Sequence, residues 1–377
     1  MSLERSLDKG LALVRQRVRS TLVQAARDDI FPHAAPSATG VWEGTRNGQW
    51  TSGFWAGLLW QEAALSGRIE DAATATAWTL RLAPHLDRKT HDIGFVFSSS
   101  AVLGWAIGRD AACRDLGLVA ADRLAAMFDL TAGVIPVGSE AEIAAGLDDV
   151  TIDCMVNLPL LWWAWKVTGE ERFLRTATSH ANRTVEWHVK ADGRIIQSVH
   201  FDQRTGEKTR EETHQGSGTI GCWTRGQAWA IYGFAAAHRA TGDERFLEVA
   251  DRAATYYIGR TGGDLVPFYC FDDPAIPDVP RDSSAAAIAC AGLWILAEHV
   301  PDPVLQRRSR DRAEALASAL VTGYLTPQGD ADERPPGMLL HSCYSVKAGW
   351  DTDHEIVWGD YFLLESLRAW ARLGATE

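Results

Sequence analysis

The chain has 377 residues, 46% hydrophobic and 23% charged, which are the proportions of a folded globular protein long enough to bury a sizeable core. A formal net charge of −12 excludes the broad basic face that nucleic acid demands, and any acidic ligand must therefore be met by a local positive pocket. Arg15, Arg17 and Arg19 interrupt the N-terminal stretch, so no signal-peptide core is present, and no apolar run is long enough to span a bilayer.

Helical periodicity predicts segments at roughly 3–28, 50–66, 69–87, 94–107, 110–128, 151–168, 170–189, 223–241, 243–259, 282–299, 302–322 and 358–373. They are of two kinds. After Gly242, Phe246, Val249, Ala250, Ala253 and Tyr257 form one apolar stripe, with Glu244, Arg245, Glu248 and Asp251 elsewhere, as in a helix with one solvated face. Met155–Trp165, Trp229–Ala237 and Ala285–Leu296 are apolar or small nearly all round, so they belong inside on every side.

An internal repeat accompanies this alternation. Thr168–Leu174 (TGEERFL) returns as Thr241–Leu247 (TGDERFL), with weaker echoes at Ser66-Gly67 and Ile107-Gly108, each glycine closing one helix and acidic residues opening the next. Short connections between buried and half-exposed helices imply hairpins arranged as an inner and an outer ring. The expectation is an all-α (α/α)6 toroid forming one domain over 1–377, with a small β-hairpin excursion between Gly193 and Gly206 where Ile196, Ser198 and His200 alternate with their neighbours. The six scattered cysteines, with no C-x-x-C pair, read as buried reduced thiols in a cytoplasmic protein.

Polar and aromatic clusters precede the all-buried segments. They are Trp50–Trp55 (WTSGFW), His91–Phe95 (HDIGF), the carboxylates Asp148, Asp149 and Asp153, Trp223–Trp229 (WTRGQAW), and Trp358–Tyr361 (WGDY). In a toroid all inner helices start on the same side, so these clusters converge on one mouth. Aromatic faces stack on the C–H surface of a sugar ring, and carboxylates, amides and Arg bind its polar edges.

Asp153 stands among Ile152, Cys154, Met155 and Val156, where desolvation raises a carboxyl pKa and keeps a proton available. Helix capping is the plainer alternative, and it suits Asp149 well; for Asp92 capping and a site role are evenly balanced. Arg225, between Trp223 and Trp229, needs either a structural ion pair or a bound carboxylate. His214 and Gln215 just upstream read equally as loop residues. The histidines show no H-x-x-x-H or H-E-x-x-H spacing, and there is no phosphate loop or G-x-S-x-G elbow, so neither metal nor cofactor is expected.

Taken together, WTSGFW, HDIGF, Ile152–Leu158 (IDCMVNL), WTRGQAW and Trp358–Phe362 (WGDYF) resemble the unsaturated glucuronyl hydrolases of glycoside hydrolase family 88, in consistent order from about residue 50 to 373. The WxRGQAW segment is shared with unsaturated rhamnogalacturonyl hydrolases; its combination with IDCMxNL is more specific. The resemblance implies an enzyme that removes a 4,5-unsaturated glucuronic acid from the non-reducing end of lyase-generated glycosaminoglycan oligosaccharides. A carboxylic acid protonates C4 of the C4=C5 enol ether, water adds at C5, and the hemiketal opens to release the remaining sugar. It further implies Asp153 as general acid/base, Asp92 as the second carboxylate holding ring hydroxyls, Gln215, Arg225 and Trp229 in the substrate site, and Trp50 and Phe95 as stacking walls. A monomer or weak homo-oligomer is expected, with a soluble saccharide as its partner and neither nucleic acid nor membrane.

Ser342–Lys347 fits the S-x-x-S-x-K pattern with which some members bind a sulfate on the adjoining sugar, implying roles for Ser342, Ser345 and Lys347 and a preference for sulfated fragments. Two departures bear on substrate choice. Gly133–Glu142 lacks the tryptophan usual before the second aspartate, and where a site histidine is expected near the hairpin the chain offers Gln197 or His200. The rivals are a rhamnogalacturonyl hydrolase, an inverting glycosidase using Asp92 and Asp153 on saturated sugars, and a non-catalytic sugar-binding toroid.

Overall fold

A computed structural model describes residues 2–138 and 149–374. Asp148 and part of the loop Gly133–Glu142 lie outside the described residues.

The inner ring is formed in turn by Ser52–Ser66, the pair Ile93–Ser98 and Ala101–Gly108, the segment from Ile152 to Thr168, Thr224–Thr241, Ser283–His299 and Val357–Gly374. Each packs on the next, and the last returns to Ser52–Ser66, closing the ring. Uniform apolar or small composition is what allows this. Every residue of Thr224–His238 and Ser283–Ala297 is buried. The outer helices Ile69–Leu80, Ala111–Ala126, Glu171–His188, Glu244–Thr261 and Pro303–Gly323 bury one stripe each, as Phe173, Ala177, Ala181 and Thr184 do for Glu171–His188. Leu3–Asp28 completes the outer layer against Val357–Gly374 and Pro303–Gly323.

Helix boundaries follow local chemistry. Gly169 and Gly242 close their helices at φ 75° and 73°. In the weaker echo the left-handed position belongs to Arg109 (φ 51°) and not to Gly108, whose missing Cβ makes room for the Trp60 ring. The segment expected at 94–107 is two helices. Ser98, Ser99 and Ser100 hydroxyls bond back to the carbonyls of Gly94, Phe95 and Val96, and this competing bonding marks the break. The segment expected at 151–168 opens as a 3-10 turn, Ile152–Val156, and becomes α-helical only at Pro159.

Two three-stranded sheets decorate the mouth. In the first, β1 (Phe31–Pro36) lies between β2 (Glu43–Thr45) and β6 (His354–Ile356), all antiparallel. In the second, β3 (Asp149–Thr151) pairs with β4 (Ser198–Phe201), and β4 with β5 (Lys208–Glu212). The β4–β5 hairpin turns where expected, with Asp202 Oδ1 accepting from the amides of Arg204 and Thr205 and Gly206 at φ 71°. β3 had no signal in the sequence, and it corrects one reading: Asp149 sits in a strand opposite His200 and caps no helix.

All six cysteines are free and buried. Among the described residues no helix is long and apolar enough to cross a membrane.

Candidate active site

The clusters do meet at one mouth. A cavity of about 210 Å³ is lined by Trp50, Asp92, Phe95, Asp153, Gln215, Arg225 and Trp229, together with Thr90, His91, His214, Trp223 and Tyr344. Trp50, Thr90 and Asp92 are shared with a second space of about 520 Å³ that reaches Arg88 and Lys89. The inner space is small for a ligand pocket, suiting one sugar ring, with room beyond for the rest of a chain.

One wall is aromatic. The Trp50 ring lies 5.1 Å from Trp358 and 5.3 Å from Phe95, and Phe95 lies 5.3 Å from Trp229. Trp358 is fully buried and donates from Nε1 to Ser284 Oγ at 3.0 Å, so it backs Trp50 and does not face the cavity. Trp50 Nε1 donates to Tyr344 Oη at 3.1 Å, which fixes the angle at which the indole faces the space.

The carboxylates line the same cavity. Asp153 lies within the 3-10 turn Ile152–Val156, whose other members are all buried. Its Oδ1 is sealed from solvent without a hydrogen-bond partner among the described residues. Burial pushes the Asp153 carboxyl up to about 6; His91 and Arg225 pull it down and Asp92 pushes it further up. Asp92 sits just before Ile93–Ser98 but makes no capping bond. It instead accepts from Thr90 Oγ1 at 3.1 Å and faces His91 Nε2 at 3.5 Å. His91 Nδ1 is 2.7 Å from the Val137 carbonyl oxygen, so that nitrogen carries the hydrogen and donates.

Arg225 resolves the alternatives its sequence left open toward an ion pair. Its Nη1 bonds Asp282 Oδ2 at 2.6 Å, Nη2 bonds the Tyr344 carbonyl at 2.6 Å, and its guanidinium lies over Trp223 at 4.5 Å. It borders the cavity, with its charge paired with Asp282 and its Nη2 holding the Tyr344 loop in place.

Five residues singled out from the sequence are not among those lining the cavity: Gln197, His200, Ser342, Ser345 and Lys347. His200 Nε2 is 2.8 Å from Glu212 Oε1 on the hairpin. Ser342 is wholly buried, its Oγ 2.8 Å from Ser283 Oγ. Ser345 Oγ accepts from Ala348 N at 3.3 Å, and Lys347 Nζ donates to the carbonyls of Thr213 and Gly218 at 2.8 and 2.7 Å. Conversely, Tyr344 was invisible in the sequence, because its place follows from a loop that folds back over the ring. The signal for His91 in the sequence is its adjacency to Asp92.

No family model matches the chain. An unsaturated glucuronyl hydrolase of Bacillus sp. (strain GL1) is 35% identical over 347 residues, 90% of this chain and 90% of the relative. The chain belongs to the unsaturated glucuronyl hydrolases. It is therefore a glycoside hydrolase, and its toroid is that of the family. An unsaturated chondroitin disaccharide hydrolase of Streptococcus pneumoniae is 29% identical over 330 residues, covering 85% of this chain and 81% of the relative. Among solved structures, an unsaturated glucuronyl hydrolase specific for heparin superposes with a TM-score of 0.88 at 27% identity, over 99% of this chain and 98% of the other.

Proposed function

We propose that this unsaturated glucuronyl hydrolase acts on glycosaminoglycan fragments, with Asp153 as its general acid/base and Asp92 as the second carboxylate. The observation that carries this is the Asp153 carboxyl. It is held near a pKa of 6 by burial, in a cavity also lined by a row of aromatic rings.

An enol ether needs a proton on carbon, which demands an acid that is still protonated near neutrality. Asp153 delivers its proton to C4, leaving positive charge shared between C5 and the ring oxygen. Water adds at C5, and the proton it sheds returns to Asp153. The resulting hemiketal opens, and the freed C1 releases the rest of the saccharide. The net change is addition of one water. Asp92, oriented by Thr90 and His91, accepts hydrogen bonds from ring hydroxyls, and Gln215 reaches the sugar from the other side. Trp50, Phe95 and Trp229 supply the stacking faces.

Sulfate recognition by Ser342, Ser345 and Lys347 would require Lys347 to leave two carbonyls and Ser342 to separate from Ser283. The favoured substrate is accordingly an unsaturated chondroitin or heparin disaccharide in which sulfate is not the main handle.

The test follows loss of the ultraviolet absorbance of the C=C bond in unsaturated disaccharides. Loss with a chondroitin or heparin disaccharide, abolished in Asp153→Asn, is expected. Loss only with a rhamnogalacturonan disaccharide would overturn the substrate assignment.

A further inference from the structure

Gln197 does not line the cavity and is only 2% exposed. Its side chain nonetheless makes five hydrogen bonds, all to the loop Thr213–Gln215 that does line it. Its backbone carbonyl accepts from Ile152 N at 2.9 Å, one residue before Asp153. One residue thus ties the turn bearing the acid to a loop that lines the substrate space.

The polarity of this network is fixed by two atoms that have no choice. The backbone N–H groups of His214 and Gln215 can only donate, and both reach the same end of the Gln197 amide, at 3.1 and 3.0 Å. That end is therefore the oxygen, which also takes the Thr213 hydroxyl at 2.6 Å. The other end is the NH2 group, which has hydrogens to give and nothing to accept with. It lies 3.0 Å from His214 Nε2 and 3.0 Å from Gln215 Oε1.

His214 Nε2 must then be an acceptor. Its proton sits on Nδ1 and is donated to Ser198 Oγ at 3.0 Å, so the ring is neutral. By the same logic Gln215 gives its oxygen to Gln197 and keeps its own NH2 for the cavity.

We infer that Gln197 is a positioning residue of the reaction. Through one amide it holds His214 as the neutral Nδ1–H tautomer and turns the donor end of Gln215 toward an acceptor oxygen of the substrate. The inference rests on the reading of the cavity as the saccharide site.

Gln197→Glu is the discriminating variant. It keeps the oxygen that receives three donors and converts the other end from donor to acceptor without changing shape. His214 must then carry a proton on Nε2, either as the Nε2–H tautomer with the Ser198 hydroxyl turned to donate to Nδ1 or as the imidazolium, and Gln215 must turn its carbonyl toward the cavity.

The expected result is a KM for an unsaturated disaccharide raised about ten- to a hundredfold, as for loss of a hydrogen bond to a charged group, with kcat changed less than about threefold and an unaltered melting temperature. Ring nitrogen chemical shifts of His214 in the unliganded wild type should report the neutral Nδ1–H tautomer at neutral pH, and a ring protonated on Nε2 in the variant. That wild-type spectrum needs no variant to fold. A wild-type His214 found as the Nε2–H tautomer or as an imidazolium, or a well-folded Gln197→Glu with KM within about twofold of wild type, would overturn the inference. Inactivity of the wild type toward unsaturated disaccharides would instead remove the functional reading and leave the tautomer assignment standing.

Discussion

Asp153 has nowhere to spread a negative charge, because Ile152, Cys154, Met155 and Val156 are all buried around it. That cost is the source of its reactivity. With a carboxyl pKa of about 6, roughly nine-tenths of the molecules carry the proton one pH unit below that value and about a tenth one unit above it. kcat/KM should therefore fall about tenfold per pH unit on the alkaline side; a profile already spent near pH 5 would contradict this assignment. The same group is a liability for folding. Its folded pKa lies above the unfolded value of 3.8, so the native state binds the proton more tightly, and stability is lost as pH rises from about 4 through about 6. Asn carries no charge to desolvate. Asp153→Asn is expected to lose about 10²–10⁴-fold in turnover. At neutral pH it should be more stable than wild type by up to about 3 kcal/mol, a gap that closes near pH 4 in denaturant titrations.

Among the elements, the inner helices approach so closely that only glycine fits at some crossings. A Cβ on Gly94 would stand 2.2 Å from Asn157 Cβ, where the helix behind Asp92 meets the end of the Asp153 turn. Gly94→Ala should cost about 1–3 kcal/mol by overpacking and lower activity as well, since it pushes the two carboxylates apart. Gly67→Ala is the control. Its Cβ would meet nothing within 4 Å, but φ is +66°, so a loss of about 1 kcal/mol with wild-type activity is expected. Urea unfolding combined with the absorbance assay separates the two. The loop Thr213–Gly218 is pinned at both ends by Lys347. Lys347→Ala should thus lower kcat/KM equally on sulfated and unsulfated disaccharides, by roughly three- to tenfold, as expected when about 1 kcal/mol of hydrogen bonding is lost. A selective loss on sulfated substrate would show that the ammonium leaves its carbonyls to hold sulfate.

For the whole molecule, the outer first helix is tied to the strand that leads into the last inner helix. Arg17 of the first helix donates to Glu355 Oε1 at 2.9 Å and to the Gly40 carbonyl at 2.8 Å, in a place where both side chains are buried. Burial and the nearby Glu355 charge push Asp360 well above the usual carboxylate range. Arg17→Met would leave Glu355 buried without its counter-charge, with only the Asp360 side chain still bonded to it, and should cost about 3–5 kcal/mol in denaturant unfolding. A cost below about 1 kcal/mol would mean that the pair contributes little beyond its packing.

The toroid was legible because helix type is a local property. Composition all round, as at Thr224–His238, or along one stripe, as at Glu171–His188, is written in 3.6-residue periodicity, and Gly169 and Gly242 punctuate it. The placement of Asp92 and Asp153 on one mouth followed from that alternation alone. The strands β1, β2, β3 and β6 were not legible, since three to six residues give no usable period and β3 and β6 find their partners far along the chain. The same distance hid Tyr344 and sent Ser342 to Ser283. By itself the sequence determined a ring of helical hairpins, the side on which chemistry sits, and an aspartate too buried to ionise easily, all consequences of short-range pattern and desolvation. Only the tertiary structure decided that Arg225 spends its charge on Asp282, that Lys347 holds a loop, and that Gln197 sets the proton of His214. Hydrogen-bond partners are chosen by proximity in space, which no local pattern encodes.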